Sequence, residues 1–132
     1  MGPGPIQKQE KKCSEATLHG TYLFAINGVD ITGGDQIPFA GAGYEVFDGN
    51  GNIEGVSSGN TNGQTFRNEP FSGTYTVKAD CTGTITYNGG DPAVYDLFIA
   101  PDGSMFTFVR IKTPEQVIAA FEVQATAKRV GP

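Results

Sequence analysis

Residues 18–26 read LHGTYLFAI, and residues 71–78 read FSGTYTVK. In the first stretch Leu18, Gly20, Tyr22, Phe24 and Ile26 hold alternate positions, with Thr17, His19 and Thr21 on the other parity. That is the period of two expected of a strand with one buried face. Each copy of Gly-Thr-Tyr opens such a run. In each, the glycine lets a neighbouring backbone or ring come close, the threonine faces one side, and the tyrosine sends a large ring with a polar tip to the other. The repeat therefore predicts two equivalent strands. The competing reading is a pair of tyrosines, Tyr22 and Tyr75, aimed at a shared ligand.

Outward from these two strands the same alternation recurs in short pieces. A strand is expected over 39–47, and DGNGN at 48–52 carries the Asp-Gly and Asn-Gly pairs that supply positive φ to tight hairpins. The chain returns through IEGVSSGN (53–60), crosses a polar loop to 71–78, turns at ADCT and continues as GTITY (83–87). AVYDLFIA (93–100), PDG and SMFTFVRI (104–111) read as one further hairpin. In VIAAFEVQATAKR (117–129), the spacing of Val117, Ala119, Phe121, Val123 and Ala125 favours a strand, with room for one helical turn over 114–117. Hairpin-joined strands leave no length for the crossovers that parallel pairing needs. The expectation is an all-β domain over residues 13–130: a single eight-stranded antiparallel up-and-down barrel, with a Greek-key sandwich as the alternative. Residues 1–12, opening GPGPIQ after the first Met, read as a disordered leader or cloning scar standing where a signal peptide was removed.

Composition agrees with this class. The 132 residues suffice for one core, the 19 glycines suit many turns, and nine Phe with five Tyr outweigh the absent Trp. A net charge of −5 without clustered Lys and Arg argues against nucleic acid as a partner. No run approaches the roughly 18 apolar residues of a membrane-spanning helix. Cys13 and Cys81 lie too far apart for a CxxC motif, so they form either a disulfide or two separate buried thiols. A disulfide would imply export to an oxidising compartment, the periplasm or the exterior.

Three resemblances follow. CSEATLHGTYLFAINGV, FDGNGNIEGVSSGN, FSGTYTVKADCTGTITY and the closing ATAKRV resemble a family of small exported bacterial proteins, largely uncharacterised, with paired cysteines that correspond to Cys13 and Cys81. The start of the first strand is similar to that of calycin barrels: lipocalins carry Gly-x-Trp there, with an Arg from the last strand over the ring, places that Gly20, Tyr22 and Arg129 would take. YEVFDGNGNIEGVSSGN resembles the strand, turn and return of allene oxide cyclase barrels, including bacterial barrels that catalyse Diels–Alder cyclisations. That likeness implies a cofactor-free cyclase or isomerase.

Few residues point to covalent chemistry. The single His19 sits on the outward parity with no Ser or Cys nucleophile nearby. Asp48, Asn50, Asn52 and Glu54 begin like a calcium loop, but Gly59 stands where the bidentate acid belongs, so a plain hairpin is expected and no metal. Asp96 and Arg110 lie on two arms of one hairpin and suggest a cross-strand ion pair. Glu45 shares its parity with Gly43 and Phe47 and is an unusual charge for an inner face. The expected role is binding of a small apolar molecule inside the barrel by Tyr22, Phe24, Phe47, Tyr75, Tyr95 and Phe121, without a cofactor. For the cyclase alternative, Glu45, Tyr22 or Tyr75 would polarise a carbonyl; the third alternative is a structural surface protein with a filled barrel. Phe98, Phe106 and Phe108 are expected as an exposed patch for self-association, or else as cavity lining.

Overall fold

The computed structural model describes residues 12–30, 36–89, 93–111 and 121–132, with residues 30 and 121–126 as backbone alone. A 3₁₀ turn, Glu15–Thr17, leads into strands β1 (His19–Asp30), β2 (Ile37–Asp48), β3 (Asn52–Thr61), β4 (Gln64–Val77), β5 (Thr82–Tyr87), β6 (Ala93–Ile99), β7 (Met105–Ile111) and β8 (Phe121–Gly131). Each pairs antiparallel with the next, and β8 returns to pair with β1, from Thr21 opposite Gly131 to Asp30 opposite Phe121. That last ladder closes the barrel and excludes the sandwich. The segments 1–11, 31–35, 90–92 and 112–120 lie outside the described residues, and with them the helical turn expected over 114–117 and all but Lys12 of the expected leader.

Two strands run further than hydrophobic alternation indicated. β1 continues through Asn27 and Gly28 to Asp30, opposite Ile37–Ala40 of β2. The stretch read as a polar loop is the far end of the β3–β4 hairpin, where Thr61 faces Gln64 across a two-residue turn with φ 52° at Asn62 and 88° at Gly63. Asn-Gly is the pair such a turn favours. Residues 60–65 are all exposed, so no buried face marks them as strand in the sequence.

The end of the barrel where β1 starts is filled. Ser14 caps the 3₁₀ turn, and the Tyr75 hydroxyl donates to the main-chain carbonyls of Glu15 (2.8 Å) and Leu18 (3.0 Å). The Glu15 carboxylate accepts the Val77 N–H at 3.0 Å. Behind the turn, Cys13 and Cys81 form a disulfide with Cα atoms 5.1 Å apart. Tyr22 donates its hydroxyl proton to the Gly103 carbonyl. The two Gly-Thr-Tyr copies thus do equivalent work. Both tyrosines point inward and fasten main chain at this end. Gly20, at φ 98°, faces the Gly131 carbonyl of β8, while Gly73 leaves room for Thr86 of β5.

All three hairpins at this end are also braced by an aspartate. Asp48 accepts from the N–H groups of Asn50 (2.7 Å) and Asn52 (3.0 Å), Asp80 from Thr82, and Asp102 from Ser104. The carboxylate of the calcium-like DGNGN run is therefore engaged in its own turn. Phe47 forms the hub of the filled half, with ring centroids 5.0 Å from Tyr22, 4.9 Å from Tyr75 and 5.5 Å from Phe106.

The structure corrects two pairings expected on β6 and β7. Leu97 faces Phe108 and Ile99 faces Phe106, and directly opposed residues share a face, so both phenylalanines join the inward set. They are 4% and 1% exposed, against 55% for Phe98. Of the three Phe expected on the outer surface only Phe98 is there, beside Met105, Val109 and Ile111, while Phe108 lines the cavity described below, the alternative given for it. Arg110 faces Tyr95 and Asp96 faces Val109, which places Asp96 and Arg110 on opposite faces rather than in an ion pair.

The disulfide closes a separation of 68 residues and couples the 3₁₀ turn to the β4–β5 hairpin. On the chain-entropy model, replacing Cys13 and Cys81 together by Ser is expected to cost roughly 4 kcal/mol of unfolding free energy. Urea denaturation of the oxidised protein and the double variant would measure it. A difference below about 1 kcal/mol would contradict this assignment.

Candidate ligand cavity

In the other half of the barrel, β2 and β3 present mostly small residues to the interior, apart from Phe39 and Glu45. Gly41 faces Gly59, Gly43 faces Ser57, and Glu45 faces Gly55. Larger side chains from other strands lean into the space these residues leave. The Phe71 ring tip lies 2.7 Å from where a Cβ on Gly55 would stand, so alanine there would drive into the ring. What remains is a cavity of about 170 Å³ lined by Phe24, Ile26, Ser57, Phe71, Tyr87, Tyr95 and Phe108. Its five rings form a chain, edge-on from Phe24 to Phe71 at 5.9 Å, Phe71 to Tyr87 at 5.4 Å and Tyr87 to Tyr95 at 5.6 Å, and tilted from Tyr95 to Phe108 at 5.1 Å.

Glu45 stands behind this wall with no exposed surface. Its Oε1 accepts the Tyr87 hydroxyl proton at 2.8 Å, while Oε2 has no hydrogen-bond partner among the described residues. Burial disfavours the charged form and pushes the Glu45 pKa up to about 7, with the Tyr87 bond pulling the other way. Burial and the neighbouring carboxylate together raise Tyr87 well above the usual phenol value. Tyr95 is also raised, by burial first, with Arg110 opposing. Near neutral pH the interior therefore holds a carboxyl poised between its two states, joined to a phenol that stays protonated.

Of the six expected ligand contacts, the structure brings Phe24 and Tyr95 to the cavity. Tyr22, Phe47 and Tyr75 lie in the filled half, where two of them spend their hydroxyls on main-chain carbonyls. The side chain of Phe121 lies outside the described residues. Sequence reasoning missed Ile26, Ser57, Phe71 and Tyr87 as lining residues, while Phe108 is there in the alternative place given for it. Phe71 and Tyr87 sit on the inward parity of strands already read correctly, so their parity was available as a signal; which end of the barrel they occupy was not. Glu45, singled out for its parity, does point inward. His19 is exposed and its Nε2 lies 3.0 Å from Arg129 Nη1; Arg129 is the β8 partner of Tyr22, and its guanidinium reaches His19 and the Asp102 carbonyl.

No family model matches the chain, and no curated protein does. Among solved structures, the chain is similar to EF1p2_mFAP2b bound to DFHBI, at 16% identity and a TM-score of 0.54, covering 86% of this chain and 94% of that one. At that identity the likeness is one of fold, a barrel of the same kind.

The raised Glu45 pKa fixes the sign of a pH effect. Between the unfolded value of 4.5 and the folded value of about 7, the native protein binds more protons than the unfolded chain. Stability from this group is therefore intact below about pH 4.5 and is lost as pH rises through 7, by at most about 3 kcal/mol. Glu45→Gln should remove that slope, gaining on the parent protein as pH increases. Denaturation at about pH 5 and about pH 8 checks it; parallel profiles for the two proteins would be the contrary result.

Proposed function

We propose that the protein is an exported binder of one small apolar or aromatic molecule, held in the cavity between Phe24, Phe71, Tyr87, Tyr95 and Phe108. The cavity carries this reading: a barrel that packs one half solid keeps a ring-lined space of about 170 Å³ in the other. For scale, an apolar cavity of about 150 Å³ in another protein is large enough to take up benzene. Two further observations support the reading. The barrel of similar fold is one bound to a small molecule, DFHBI. The disulfide is of the kind that persists in oxidising compartments, which supports export.

A cofactor-free cyclase is the second reading, and one observation favours it: Glu45, balanced near neutrality, is hydrogen-bonded to a cavity tyrosine. Such an enzyme would fold a substrate against the rings and exclude water, using the Glu45–Tyr87 pair to polarise a carbonyl. It differs from a carrier by releasing an altered molecule.

Native mass spectrometry of protein purified from its own host is the direct test. The expected result is a co-purifying small molecule, absent from Ser57→Phe, which fills the cavity from β3. A parent protein that carries no adduct and also takes up no naphthalene on titration would overturn the binding reading.

A further inference from the structure

This inference rests on the cavity being a binding site and concerns what its ligand carries. The cavity wall is mostly hydrocarbon, so a polar group within reach of a ligand governs selection more than the rings do. Among the described residues, the lining offers three hydroxyls, from Ser57, Tyr87 and Tyr95. Tyr87 differs from the others in having its proton assigned. The bond to Glu45 Oε1 is 2.8 Å long and only part-buried, although Glu45 itself is fully enclosed. Tyr87 lines the cavity and Glu45 does not, so a ligand meets this bond from the tyrosine's side.

A charged carboxylate can only accept, so with Glu45 ionised, the state that prevails in slightly alkaline buffer, Oε1 holds the Tyr87 proton. The Tyr87 oxygen is then left with lone pairs alone. A ligand carbonyl or ether placed against it meets an acceptor facing an acceptor, whereas an N–H or O–H completes the network. Ligand chemistry that leaves a buried polar atom unmatched is strongly disfavoured.

We propose that Glu45 positions Tyr87 as a hydrogen-bond acceptor, so that the cavity selects flat aromatic molecules bearing an N–H or O–H donor over isosteres that lack one. Tyr87 makes the contact, and Glu45 acts through it as a positioning residue. Tyr22, the β1 partner of Glu45, has its hydroxyl committed to Gly103 and does not compete for the second carboxyl oxygen.

Indole and benzofuran are suitable probes, being nearly isosteric and differing in a ring N–H against a ring oxygen. Titration calorimetry on the parent protein in slightly alkaline buffer should show indole bound about five- to tenfold more tightly. Tyr87→Phe should bring the ratio to near one while leaving benzofuran affinity within about twofold, which separates lost recognition from a damaged cavity. Glu45→Gln, whose amide oxygen still accepts the phenol proton, should preserve the preference; Glu45→Leu, which frees that proton, should erase or reverse it. Equal binding of the two probes by the parent protein, or an unchanged ratio in Tyr87→Phe or in Glu45→Leu, would overturn the proposal while leaving the binding site in place. Binding of neither probe would overturn the proposal, and, together with the absence of an adduct and of naphthalene uptake, the binding reading as well.

Discussion

The β1–β8 ladder is the constraint on which the other features depend. Closing eight strands fixes the interior width at a value that side chains can just fill. Every inward residue then competes for the same limited cross-section, and what the chain places at each level determines whether that level is solid or hollow. At the level of Phe47 the residues are large and the space is full. One layer further along, glycines and a serine on β2 and β3 give the space back. The cavity therefore arises from a deficit of side chains on two neighbouring strands within a ring whose size cannot shrink to absorb it. Glycine at these places has a second effect, since it allows the Phe71 ring to lie against bare main chain and so become part of the wall.

Much of this was legible in the sequence because a strand's alternation assigns each residue to a face without knowledge of the partner. Tyr22, Tyr75 and Glu45 were placed inside by parity, and all three are inside. The antiparallel order followed from connections too short for anything else. What alternation does not convey is height along the barrel axis. Tyr22 and Tyr87 are both inward aromatic residues near strand ends, yet one anchors main chain and the other faces a cavity. Height depends on strand stagger, which is set by ladders between residues far apart in the chain.

Where both faces of a strand are apolar, parity itself becomes ambiguous. On β7 the run MFTFVRI offers hydrophobic residues at nearly every position, and the partner strand decides: Tyr95, Leu97 and Ile99 of β6 are inward, and Phe106 and Phe108 lie opposite members of that set. The β3–β4 hairpin fails in the reverse way, with too little hydrophobicity to mark its outer residues as strand. The local signal that was present there, Asn62–Gly63, is a turn signal and needs no buried face to be read.

The order of the ring also bears on how the protein comes into being. Until β8 has left the ribosome, β1 has one bare edge with unmet N–H and C=O groups, a template for pairing with any other strand nearby. Contacts of such wide sequence separation form slowly, so the interval in which that edge stays open is long on the scale of folding. The bridge from Cys13 to Cys81 joins segments that are both available well before β8, and once formed it would hold the first four strands near their final arrangement while the ring waits for its last member.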